Sequence, residues 1–196
     1  VTEWNLHCYI SIIVLFIKIN TTQRNCYIMA LILETSLATL LQNVNKYFET
    51  EREENAHGVK VVNLTTSCSI EANSITFNAT TKTQTNQYET TIQFEEVGLK
   101  TSREYNTEVE IVDKTGTTYF LEPIEMGYYD CKVSCKCMDF YMRFAGINQR
   151  DGSLYGIPPT PYTPKGNTNR PPANPAKKPG ICKHIIAMAF DLEREG

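Results

Sequence analysis

The sequence predicts an α+β fold, and three observations carry that reading. Apolar residues recur at steps of three and four between Leu33 and Phe48, the period switches to two from Val59 onward, and cysteine, histidine and proline gather in the last third. The first pattern makes a helix and the second an antiparallel sheet. The third marks a metal-binding pattern and a long irregular Pro-rich loop.

The helical stripe consists of Leu33, Leu37, Leu40, Leu41, Val44 and Phe48, which fall on one face of an α-helix and so form a core-facing surface. It is expected to end near Arg52 in a charged, solvated turn. Segments 59–66, 74–80, 88–95, 107–113 and 117–122 follow, rich in Thr, Val, Ile, Tyr and Phe with polar residues alternating, as half-buried antiparallel strands require. Lys114-Thr115-Gly116 lies between two such runs and is a hairpin signal. Helix and meandering sheet together give a two-layer body.

Residues 9–19, YISIIVLFIKI, are apolar but half as long as a membrane-spanning helix needs. Glu3 before them and the lack of a small-residue cleavage site after them argue against a signal peptide. Two readings fit: a buried β-branched strand, or an over-extended reading frame with the true start at Met29.

The chain has 196 residues and a net charge of −3, unevenly distributed. Residues 1–131 carry 9 basic and 17 acidic side chains, whereas residues 132–190 carry 9 basic and 2 acidic. An acidic body and a basic C-terminal third suggest two parts with different work. Residues 30–130 hold no nucleophile elbow or Gly-rich phosphate loop, and His57 is the one histidine among them, so the protein reads as non-enzymatic.

Seven cysteines are an odd number, and their spacing is more informative than their count. Cys135 and Cys137 are two apart in a stretch, 128–137, that alternates like a strand, so both are expected on one face. Cys182 should lie just before a C-terminal helix patterned by Ile185, Ile186, Met188, Ala189 and Leu192, with His184 in its first turn. Three thiolates and one imidazole make a closed tetrahedral donor set of the structural type, which implies Zn²⁺ in a reducing compartment. Cys131 shares the strand face of Cys135 and is the alternative ligand.

The pattern Cys135-x-Cys137 followed by Cys182-x-His184 resembles the SWIM zinc finger, a C-x-C…C-x-H motif on a ββα unit. Met138-Asp139-Phe140, Tyr141-x-Arg143-Phe144, Asn174-Pro175 and Pro179-Gly180-Ile181 surround the ligands, and this wording resembles SWIM-like virion structural proteins of tailed bacteriophages. The 44-residue spacer between the two pairs is longer than in most such fingers. The expected organisation is therefore residues 1–28 as the extension, 29–127 as the α+β body, and 128–196 as a SWIM-like zinc module with a Pro-rich loop over 147–180.

Eight of the nine prolines lie between Pro158 and Pro179, where missing amide donors favour an extended irregular chain. Tyr155, Tyr162, Lys165, Arg170, Lys177 and Lys178 on this loop are the expected partner contacts. The resemblance implies a virion structural protein, assembled in the host cytoplasm, in the tail, baseplate or neck, contacting other virion proteins in a symmetric assembly with no membrane span. A SWIM-type nucleic-acid-binding protein is the alternative, since the basic third would attract phosphates.

Overall fold

A computed structural model describes residues 35–49, 51–161 and 172–195. Both readings of residues 9–19 concern positions outside these, as do Leu33 and the expected contact residues Tyr162, Lys165 and Arg170.

Helix α1 (Leu37–Tyr47) starts where Ser36 supplies an N-cap, its Oγ accepting from the Thr39 amide at 3.2 Å. Leu37, Leu40 and Val44 of the expected stripe are buried. Each such burial removes apolar surface worth about 1.5–3 kcal/mol from water. Helix α2 (Arg52–Ala56) replaces the expected solvated turn. Arg52 is buried, its guanidinium 5.2 Å from the Phe48 ring centroid and 5.5 Å from that of Phe144, and it donates to Asp139 from both Nε and Nη2. A planar cation can stack on rings and grip a carboxylate at once, which is how a charge is kept in an apolar setting.

The strands are β1 (Lys60–Ser69), β2 (Ser74–Lys82), β3 (Gln87–Phe94), β4 (Val109–Val112), β5 (Thr118–Leu121) and β6 (Cys131–Cys135). They do not form the single meander expected. An antiparallel sheet of order β1-β2-β3-β6 takes four of them, and β4-β5 form a separate two-stranded ribbon. The ribbon's turn is the one the sequence signals: Gly116 has φ +83°, and the Asp113 carboxylate accepts from the Thr115 and Thr117 amides. Lys114 N donates to Thr66 O at 2.9 Å, tying the ribbon tip to β1.

Between β6 and the C-terminal helix runs a helical stretch made of α3 (Met138–Phe140), a π-helical segment Tyr141–Ala145 and α4 (Gly146–Asp151). Helix α5 (Lys183–Glu195) then packs on β1, β2, β3 and β6. The core lies between sheet and helices, with Ile75, Ile92 and Val133 from the strands against Leu40, Val44, Phe144, Ile185 and Met188. No helix among the described residues is long and apolar enough to cross a membrane.

Two expectations change here. The division near residue 128 does not separate two compact units, because residues 32–196 form one, and β6 completes the sheet of the body by pairing with β3. The ββα order implied by the resemblance is also altered. After Cys137 the described chain turns helical rather than into a second strand, since Cys137 caps α3, Asp139 sits in its first turn, and Phe140 and Phe144 bury the same side one turn apart.

Candidate metal centre

Strand β6 delivers the first ligand. Cys135 ends the strand directly across from Thr90 of β3, on the face that also carries Val133 and Cys131 inward. Cys137 is not a strand residue, contrary to the expectation of a shared pleat face. It is the N-cap of α3, with φ −75° and ψ 152°, and its Sγ accepts from the Phe140 amide at 3.3 Å. The turn still brings the two sulfurs to one place, and Cys137 N donates back to Cys135 Sγ at 3.5 Å.

The second pair arrives as the sequence indicates. Cys182 immediately precedes α5, its carbonyl accepting from the Ile185 and Ile186 amides, and His184 lies in the first turn. Its Nδ1 is 3.8 Å from Cys182 Sγ. The donor atoms of Cys135, Cys137, Cys182 and His184 all lie within 4.8 Å of one another, and all four residues are buried. Cys131, the alternative ligand, lies four residues back along β6, roughly 13 Å at strand rise. It is packed in the core beside Phe94 and outside this group.

What brings the distant second pair to the first is a set of amide clamps on the returning loop. Buried Asn174 donates through Nδ2 to Arg143 O at 3.0 Å, inside the π-helical segment, and to Lys178 O at 2.8 Å, while its Oδ1 accepts from Lys178 N. Buried Asn148 of α4 holds the Gly180 peptide through both N–H and C=O. Asn174 and Gly180 stand within the wording that carries the resemblance, but Asn148 carries no signal in a single sequence.

The electrostatics suit a metal. Contacts from the Cys135 and Cys182 thiols, joined by His184 and the Phe140 amide, pull the Cys137 thiol far below its ordinary range. The Cys135 thiol is pushed up to about 12, chiefly by its bond to Cys137, and burial drives Cys182 well above its ordinary value. A divalent ion would favour the deprotonated form of the three sulfurs it holds. His184 differs from a satisfied core histidine, since its Nε2 is buried without a hydrogen-bond partner. The ring packs instead against Tyr88 with centroids 4.7 Å apart.

The donor set fits a tetrahedral ion of the zinc type. With metal–sulfur bonds of about 2.3 Å the edges of such a site are about 3.8 Å, so the group has to contract by about 1 Å at its widest. Three sulfurs and one nitrogen fill all four places and leave none for an activated water.

Of the expected partner contacts within the described residues, Lys177 and Lys178 are exposed, and Tyr155 is half-buried with its amide bonded to Val133 O on the outer edge of β6. Tyr141 Oη donates to Thr160 O, and Ile157, at the start of the Pro-rich segment, is 93% exposed. No family model, curated protein or solved structure matches the chain.

Proposed function

We propose that the protein is a non-enzymatic, zinc-stabilised virion structural protein of a tailed bacteriophage, associated with the tail, baseplate or neck. Cys135, Cys137, Cys182 and His184 hold one structural Zn²⁺ of the SWIM type. The observation that carries this reading is the closed, buried three-thiol, one-imidazole group at the meeting point of β6, α3 and α5. When bound, the ion neutralises buried thiolates and cross-links the two ends of a 44-residue spacer. The resemblance in residues 128–195 supplies the virion context.

The protein's own residues do the positioning. Asn148 and Asn174 bring the returning chain back to the π-helical segment, and the β3–β6 ladder fixes Cys135. The Pro-rich segment meets other virion proteins, and exposed Ile157 beside Pro158 and Pro159 supports a protein partner. Metal analysis of the purified chain and mass spectrometry of purified particles test the proposal together. One zinc per chain and presence in particles are expected. Zinc without incorporation would remove the virion reading and leave the metal centre.

A second reading, nucleic-acid binding, draws on one cluster. Lys46 and Lys178 place their ammonium groups 5.3 and 5.6 Å from the centroid of the Tyr47 ring, and Arg150 and Lys177 line a cleft together with Asp151, Ile147 and Pro179. Cations and an exposed ring on one surface suit a single strand. Its test is duplex and single-strand binding across salt concentration: a steep loss of affinity with salt supports it, and no binding at low salt removes it.

A further inference from the structure

The two threonines behind Cys135 are placed to do more than fill a core. Thr90, 1% exposed on β3, donates from Oγ1 to Cys135 Sγ at 3.8 Å. Its Oγ1 also lies 2.9 Å from that of Thr81, which is fully buried on β2 and donates to Tyr88 O at 3.1 Å. Three contacts therefore share two hydroxyl protons, and a hydroxyl carries only one. At any moment one of the three goes without.

We infer that Thr90 is a positioning residue for the metal centre, its hydroxyl holding the Cys135 sulfur from behind while Thr81 is held separately by Tyr88 O. The inference rests on the zinc reading. Thr81 has an acceptor of its own in Tyr88 O, which leaves the Thr90 proton for the Cys135 sulfur. A metal-bound sulfur would strengthen the Thr90 hydrogen bond, since a charged acceptor holds a hydroxyl more tightly than a neutral one. Tyr88 links the pair to the fourth ligand, because its carbonyl accepts from Thr81 and its ring packs on His184.

This arrangement makes the two threonines unequal, although they are adjacent and equally buried. Thr90→Val deletes the bond to the thiolate but leaves Thr81 satisfied by Tyr88 O, so the metal-free fold keeps its stability while metal affinity falls. Thr81→Val leaves Thr90 with Cys135 as its one partner, so affinity is nearly kept.

The experiment is competition of Zn²⁺ between chelator and the full chain, with Co²⁺ spectra of the wild type and urea unfolding of each metal-free variant. Expected are a loss of about tenfold or more for Thr90→Val, and affinities within about threefold of wild type for Thr90→Ser and Thr81→Val, in the range of partners behind metal ligands. Thr90→Val with wild-type affinity overturns the inference alone, as does an equal loss in Thr81→Val, which would indicate a packing effect. If Thr90→Val does not fold without metal, Thr90→Ala takes its place, with the same loss of about tenfold or more expected and wild-type affinity overturning the inference. A wild-type chain that gives no thiolate-to-cobalt charge-transfer band overturns the zinc reading, and this inference with it.

Discussion

The Asn148 carboxamide grips both polar groups of the Gly180 peptide: Oδ1 accepts from Gly180 N at 3.0 Å and Nδ2 donates to Gly180 O at 3.0 Å. The contact spans 32 residues of chain and lies two residues before Cys182. Asn148 thereby fixes where the second ligand pair begins.

Asn148→Ala should leave two buried backbone groups without partners. A loss of about 2–4 kcal/mol in urea unfolding is expected from that alone, together with weaker metal binding. Unchanged stability would show that water takes over both bonds and that the clamp is not what positions the loop.

Gly180 allows the same approach for a steric reason. A Cβ there would sit 2.7 Å from Phe144 Cε1 and 2.9 Å from Val44 Cγ2, both atoms of packed core side chains. Gly180→Ala should therefore cost about 1–3 kcal/mol by overpacking. A neutral result in urea titration would mean that the junction of α1 and the π-helical segment is looser than the contacts indicate.

Much of this arrangement was legible in the sequence because its signals are local. The period of two places β1 to β5 within a few residues, and Gly116 marks its hairpin. The ligand pairs show in their spacing, and α5 begins where Cys182 and His184 require. Three features were not legible, each because it depends on distant partners. Arg52 reads as solvated until Phe48, Phe144 and Asp139 surround it. β6 reads as the start of a separate part until its pairing with β3 is seen, since strand order is set by non-local contacts. Cys137 reads as a strand residue because alternation continues through it, yet its thiol serves better as a helix cap.

That pairing changes what loss of the metal should do. If residues 128–196 were a free-standing part, Cys182→Ser would loosen only that part. Because α5 packs across β1, β2, β3 and β6, the disturbance should reach the sheet. Hydrogen exchange of Cys182→Ser should rise in β3, β6 and α5 together, with the variant retaining less than a tenth of the zinc bound by wild type under mild chelation, in the range expected when one of four ligands is lost. Protection lost from residues 138–195 alone would restore the two-part organisation.

A last prediction concerns acid stability away from the metal. The side chain of Glu108 is buried and accepts from Lys100 Nζ at 2.7 Å, and from the Glu104 and Tyr105 amides at 2.8 and 3.2 Å. The Lys100 bond, aided by the two amides and opposed by burial, lowers its carboxyl from the ordinary 4.5 to about 2. The unfolded chain therefore takes up this proton at higher pH than the folded one does. The contribution to stability is complete above the unfolded value and is lost as pH falls through the folded value, so unfolding becomes easier between about pH 5 and pH 2. Glu108→Gln removes the charge and with it this dependence. The variant should be less stable than wild type at neutral pH, and the difference should shrink steadily on acidification. Unfolding titrations at several pH values check this: parallel curves for the two proteins down to about pH 2 would show that Glu108 does not gain its proton in that window.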